Sequence, residues 1–325
     1  MASRLEYNLA LDSVQVTEAA AIAAGRWLGH GDNHRADLAA VEAMRSTLDR
    51  LNLDATIVIG EGERDEAPML FIGERIGQPG ALEVDIAVDP LEGTNLVARG
   101  QPGATAVIAV SERGGLLHAP DTYLEKLIVG PPAAGKVDLN FPVRANLRIV
   151  ADSLHRRIED LTVVVLERER HQKLVAEIRE AGARIKMIPD GDLGAAISVA
   201  VSGTGDHVVM GTGGAPEGVL AAAALRCLGG EILARFRPRN EAEGQRAQAM
   251  GIDLDRVYTT NELASGEHVV FAATGVTSGD LLKGVQYFAG GARTHSLVMS
   301  AQAGTFRFID TVHMFDRTLM PSVRL

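Results

Sequence analysis

A chain of 325 residues with a formal net charge of −10, 46% hydrophobic and 23% charged, has the balance of a soluble globular protein and room for one large domain or two of ordinary size. Its acidity argues against a nucleic-acid surface and against attachment to anionic membranes, and 4% aromatic residues, with Trp27 the sole tryptophan, leave little for base stacking. No run of 18 apolar residues occurs, Met1–Glu6 has no signal-peptide core, and the single cysteine, Cys227, lies in an apolar helical run where a small core residue is expected, so the cytoplasm is the expected location.

In chain order, Ser13 to Leu28 reads as a helix broken by Gly29-His30-Gly31-Asp32-Asn33, and a second helix runs from about Arg35 to Leu51. Val41, Met44, Leu48 and Leu51 recur in it at spacings of three and four, the period of one buried face. Asp37 falls in its first turn, where an acid complements the helix dipole, and the pattern alone gives it no further role. Thr56–Ile59 is a strand running into Gly60-Glu61-Gly62-Glu63-Arg64-Asp65-Glu66. Ile86-Ala87-Val88 is a second strand, expected to stop at Pro90, which cannot donate to a sheet ladder; Asp89, Glu92, Gly93 and Thr94 crowd its end. Acid- and glycine-rich junctions are common for turn geometry alone. Two of them, each after an apolar strand, point to a hard divalent cation among oxygen ligands, because crowded carboxylates otherwise repel.

Ala104–Val110 is a small-residue strand, Glu112-Arg113-Gly114-Gly115 a hairpin turn into Leu116-Leu117, and Tyr123–Val129 the next strand. After the breaker-rich Gly130–Gly135, a boundary is expected at 142, dividing an N-terminal metal-binding α+β domain (1–142) from a C-terminal α/β substrate-binding domain (143–325) whose last strands pair back with the first. Strands 161–166, 184–188, 207–210 and 269–272 alternate with helices 170–181, 193–201 and 216–228, which predicts a largely parallel sheet. Ligands bind beyond the carboxyl ends of such strands. Those ends carry Arg168, Arg170 and His171, then Asp190-Gly191-Asp192, then Gly211–Gly214 with Glu217, then Thr274-Gly275. Cations for a phosphate, acids for sugar hydroxyls and glycine amides near a helix start share that edge. His171 is expected at the surface or a helix start. Gly211–Gly214 fits neither a Walker loop nor a dinucleotide fingerprint, which excludes a nucleoside-triphosphatase or nicotinamide enzyme.

Together these stretches resemble the class II fructose-1,6-bisphosphatases. The resemblance is carried by 60–70, by Asp85 through Thr94, by Ala119-Pro120-Asp121 with Tyr123 and 125–131, by 188–192, by 213–219, and by Ala273-Thr274-Gly275 with 279–282. More widely the chain resembles the lithium-sensitive, metal-dependent phosphatase superfamily, whose motif matches Asp89-Pro90-Leu91-Glu92-Gly93-Thr94. The resemblance implies an α/β fold, a layered α/β/α/β/α sandwich. It implies Mg²⁺ or Mn²⁺ on Asp37, Glu61, Asp89, Glu92 and Glu217, against the plainer reading of Asp37. It implies substrate contacts at Glu92, Gly93, Thr94, Tyr123, Arg168, Arg170, Asp190, Gly191, Asp192 and Gly214, and catalysis by Thr94 with Asp65 as its proton partner.

The implied reaction removes the 1-phosphate of fructose 1,6-bisphosphate, in gluconeogenesis or Calvin-type metabolism, in a homo-oligomer. Alternatives are a sedoheptulose-1,7-bisphosphatase, a dual-specificity enzyme, or a weak paralogue that binds sugar phosphates. Three positions depart from the family pattern: Asn33 stands where Lys is usual, Asn95 where Arg is common, and Arg168-Glu169-Arg170-His171 where Lys-Pro-Arg-His is usual. The first two remove positive charge near the acids, which places substrate choice or rate, rather than metal binding, at issue.

Overall fold

The computed structural model of the protein describes residues 4–62 and 68–315. Alternation along its strands sorts apolar side chains into three cores. Ile86 and Val88 face one core and Ala87 the next; Ile108 and Val110 divide from Val107 and Ala109 in the same way. In the second sheet Val164 faces inward to the middle core, while Val163 and Val165 face a third. Each sheet is therefore apolar on both faces, and each face must be covered. The result is five layers, α/β/α/β/α. Helices α1 (Arg4–Gly25) and α2 (Asn33–Leu48) cover one outer face, α6 (Asp192–Ala200) and α7 (Ala215–Leu228) fill the middle, and α4 (Val143–Ser153) and α5 (Gln172–Ala181) cover the other outer face. The middle helices are apolar all round, as a helix between two sheets must be; Ala221–Ala224 and Leu225 of α7 are wholly buried.

The first sheet runs β12 (Gln286–Phe288), β13 (Gly291–Ser300), β11 (Val270–Gly275), β4 (Thr105–Glu112), β3 (Leu82–Glu92), β1 (Leu53–Ile59), β2 (Arg75–Gly77), with β14 (Thr305–Met314) on β13. The second runs β10 (Tyr258–Thr259), β9 (Glu231–Arg237), β5 (Tyr123–Val129), β8 (Val208–Gly214), β6 (Thr162–Leu166), β7 (Arg184–Ile188). The remaining helices are α3 (Thr94–Ala98), α8 (Glu241–Ala249) and α9 (Thr260–Leu263).

Several expectations change. The second sheet is mixed: β7, β6 and β8 are parallel, but β5 and β9 join antiparallel. Strand β11 belongs to the first sheet, antiparallel to β4 and β13, with Phe271 and Ala273 in the middle core and Val270 and Ala272 in the outer one. Thr274 is consequently not at the ligand edge; its buried hydroxyl bonds Thr17 Oγ1 of α1 at 2.7 Å and Ser296 Oγ at 2.8 Å. The turn at 112–115 opens no hairpin into 116–117; the chain crosses instead to β5 in the other sheet. Strand β5, which precedes residue 142, lies in the second sheet, and β11–β14 lie in the first. Helix α2 starts at Asn33, capped by Asp32 Oδ1 accepting from the Arg35 amide at 3.0 Å, so Asp37 lies in its second turn. Cys227 packs half-buried against the middle core, and burial pushes its thiol up to about 12.

Candidate active site

Strand β3 does not stop at Pro90. Its register against β4 slips between Asp89, opposite Val107, and Glu92, opposite Thr105. The extra residue forms a bulge, where the missing amide of proline costs no ladder bond. The Leu91 amide donates to Asp89 Oδ1 at 3.1 Å and stiffens that bulge. Gly93 follows at φ +88°, a left-handed conformation, and a Cβ there would lie 2.8 Å from Leu96 Cδ1. The chain can therefore turn at once into α3 with Thr94 first in the helix.

Asp89, Glu92 and Glu217, the last from the first turn of α7, bring carboxylate oxygens within 4.8 Å of one another. Burial comes first among the causes that push the pKa of each upward. Mutual repulsion adds to it at Asp89 and Glu92, and at Glu217 the charge of Asp192 does. Glu61 and Asp37 border this trio. Burial and the Asp37 charge push Glu61 up to about 8, and both residues add to the rise at Asp89. Glu61 is held by its amide, which donates to Leu70 O at 3.0 Å; a Cβ at Gly60 would meet that same oxygen at 1.9 Å, so only glycine fits beside it. Asp65 lies outside the described residues.

A hard divalent cation fits this set: every donor is a carboxylate oxygen, and Glu217 Oε2 is buried with no hydrogen-bond partner. A Cβ at Gly214 would sit 1.9 Å from that oxygen, so a side chain there would push the Glu217 carboxylate out of this arrangement.

Glu92, Tyr123, Arg168, Arg170, Asp190, Gly191, Asp192, Gly214 and Glu217 line one cavity of about 210 Å³ together with Asp121, Leu166 and Gly213. Glu92, Asp190, Asp192 and Glu217 therefore meet Arg168 and Arg170, while Gly93 and Thr94 are not among the lining residues. The guanidiniums are oriented by backbone carbonyls: Arg168 Nη1 donates to Pro189 O at 2.6 Å, and Arg170 donates through Nε and Nη2 to Thr212 O at 3.1 and 2.7 Å. Arg170 and Arg239 both stack on the Tyr123 ring, at 4.5 and 5.2 Å. Residues Gly211–Gly214 are the end of strand β8 rather than a loop. A larger cavity of about 410 Å³ lies on the other side of Asp190-Gly191, mostly apolar, and its one cation, Lys186, is already held by Asp206 and Asp280. The smaller cavity is the one that gathers acids and cations.

Arg239 and Lys126 escaped the sequence reading, and the partners of His171 were not foreseen. His171 does stand at the start of α5, one of its two expected settings, but it is buried rather than at the surface, its Nδ1 bonded to Leu166 O at 2.7 Å and its Nε2 accepting from the Thr212 amide at 2.8 Å. Arg239 reaches the site from beyond β9 with no sequence signal. Lys126 had one: period two puts it on the core face of β5 between Leu124 and Ile128. Its Nζ lies 2.7 Å from Asp192 Oδ2, and both side chains are buried. Burial lowers the Lys126 pKa, but Asp192, Glu217 and Glu92 together raise it further, so the ammonium is retained. The two departures meet each other: Asn33 Nδ2 donates to Asn95 Oδ1 at 3.4 Å, and Asn95 Nδ2 to Asp190 Oδ2 at 3.5 Å.

A five-layer sandwich with an acid cluster at its strand ends and arginines in the same cavity has the build of a divalent-cation-dependent phosphatase. The chain belongs to the bacterial, glpX-encoded fructose-1,6-bisphosphatases, whose family model matches residues 7–313. It is 52% identical to the D-fructose 1,6-bisphosphatase class 2/sedoheptulose 1,7-bisphosphatase of Synechococcus sp. (strain JA-3-3Ab), covering 99% of this chain and 100% of that one. A similarly named protein of Synechococcus elongatus (strain ATCC 33912 / PCC 7942 / FACHB-805) is 51% identical over 98% of this chain and all of its own, and one of Acaryochloris marina (strain MBIC 11017) is 53% identical over 96% and 97%.

Proposed function

We propose that the protein hydrolyses the 1-phosphate of fructose 1,6-bisphosphate to give fructose 6-phosphate and phosphate. The observation that carries this is one cavity lined by buried Glu92 and half-buried Glu217, which converge with Asp89, and by Arg168 and Arg170. Asp89, Glu92 and Glu217, with Asp37 and Glu61, would hold Mg²⁺ or Mn²⁺. Such a cation, when bound, offsets charge on phosphoryl oxygens and makes a bound water more acidic. Thr94, just past Glu92, orients the attacking water through its hydroxyl, with Asp65 receiving the proton. Arg168 and Arg170, already oriented by Pro189 and Thr212, grip the remote phosphate beside Tyr123. Asp190 and Asp192 accept sugar hydroxyls, while Gly93, Gly191 and Gly214 leave the backbone open to the substrate.

A second substrate, sedoheptulose 1,7-bisphosphate, is favoured by the double names of the relatives. Placement in the lithium-sensitive superfamily rests on the motif from Asp89 to Thr94. A cytoplasmic setting rests on the lone, half-buried Cys227, and a homo-oligomer on the exposed apolar face of β14 treated below. Among the described residues no helix is long and apolar enough to cross a membrane. Turnover of a sugar-phosphate panel by chelator-treated protein, before and after Mg²⁺ or Mn²⁺, tests the reading. Release of phosphate from either bisphosphate only with added cation is expected; full activity in the metal-free protein overturns it.

A further inference from the structure

Lys126 is a buried ammonium beside the site with no part in the chemistry proposed for it. It is 3% exposed, in a strand whose neighbouring core-facing residues are Leu124 and Ile128. Burying an ammonium and a carboxylate is costly even when they pair, and two apolar side chains would fill the same space without that cost. Lys126 is not among the residues lining the site cavity, whereas its partner Asp192 is. The pair is wedged against β8: a Cβ at Gly213 would lie 2.4 Å from Asp192 Oδ2 and 2.9 Å from Lys126 Nζ. Next to it, the Leu193 amide of α6 donates to Glu92 Oε1 at 3.2 Å. Asp192 therefore has one carboxylate oxygen pinned at 2.7 Å by a side chain that cannot shift toward β8.

We infer that Lys126 is a positioning residue for sugar recognition, holding the Asp192 carboxylate in the one orientation that presents it to the hydroxyls of a bound sugar phosphate. This rests on the reading of the cavity as a sugar-bisphosphate site. Lys126 touches no substrate and acts only through Asp192.

The test is a double-mutant cycle of Lys126→Met and Asp192→Asn on the metal-loaded enzyme, reading KM for fructose 1,6-bisphosphate, Ki for inorganic phosphate, bound metal and melting temperature. Lys126→Met is expected to raise KM about tenfold or more, the usual loss of a charged hydrogen bond, and to move the phosphate Ki far less, since phosphate has no sugar hydroxyls. In the Asp192→Asn background Lys126→Met should add less than about threefold to KM, because the two act as one unit. Asp192→Asn leaves Lys126 beside the charges of Glu217 and Glu92, and the double variant buries no unpaired charge, so this arm stands even if Lys126→Met alone does not fold. Additive effects on KM, or parallel rises in KM and phosphate Ki, or loss of metal, would overturn the inference and assign Lys126 to the acid cluster or the fold. A wild-type enzyme that turns over no sugar bisphosphate instead overturns the reading of the cavity itself, and this inference with it.

Discussion

At the scale of single residues, Thr94 carries the chemical assignment. It stands first in α3, directly after the left-handed Gly93 and two residues past Glu92. Thr94→Val keeps its shape and removes its hydroxyl. Metal and substrate should still bind while kcat falls by roughly 10²–10⁴, the usual worth of positioned acid–base catalysis. Thr94→Ser should retain much of the rate. The measurement is kcat, KM and bound metal for both variants; a near-native kcat in Thr94→Val leaves water activation to the metals alone. The acids, cations and glycines that line the cavity were legible because they follow apolar runs at strand ends. His171 and Arg239 were not, since a histidine bonded on both sides and an arginine stacked on Tyr123 are defined by partners far away in sequence.

At the scale of elements, His171 clamps the end of β6 to β8. Its Nε2 accepts the Thr212 amide only while the ring is neutral, and a side chain at Gly211 would come within 3.0 Å of that nitrogen. Burial first, then Arg170 and Arg168, lowers its pKa from the ordinary 6.5. The unfolded chain therefore binds a proton more readily than the folded one. The stabilisation is fully present above about pH 6.5 and is lost as pH falls through the depressed folded value. His171→Asn should lower the melting temperature at pH 7.5, with a cost of about 1–3 kcal/mol for the amide left unpaired. Its deficit relative to wild type should shrink toward pH 5. A deficit independent of pH would show that packing, not the neutral ring, is what His171 supplies.

At the scale of the whole molecule, the acid cluster is a repulsion that the layers hold together. Its members are raised in pKa, so here the sign is reversed: the folded protein binds the extra protons, and stability is lost as pH rises from the ordinary carboxylate range through the raised values, about 8 for Glu61. Melting curves of chelator-treated protein should fall from pH 6 to 8.5. The gain in melting temperature on adding Mg²⁺ or Mn²⁺ should grow over the same range, because the cation competes with protons for these oxygens. An equal gain at every pH would separate cation binding from these carboxylates.

The molecule's other unbalanced surface is β14, an edge strand whose Phe306, Phe308 and Val312 share one exposed face, with Phe308 stacked on His295. Across the ladder from Phe308 and Phe306 stand Leu297 and Met299, so the face continues the middle core into solvent. A second copy is the proposed cover. Phe306→Glu with Phe308→Glu should shift the mass measured by light scattering toward the monomer; an unchanged mass moves the interface elsewhere.

What the sequence determined by itself was the set of apolar strands, the acids and glycines at their ends, and through motif resemblance the family, because each of these is encoded within ten or so consecutive residues. The layering came with that resemblance, and strands apolar on both faces agree with it. Only the tertiary structure decided which sheet takes which strand. Both sheets offer apolar edges of the same kind, and β5 and β11 are assigned by the packing of α6 and α7 between the sheets, not by their own composition. The same packing brings Glu217 of α7 to Asp89 and Glu92 of β3, and Lys126 to Asp192, across more than sixty residues of chain in each case. Electrostatic proximity of that kind depends on distance in space, which no local pattern of residues records.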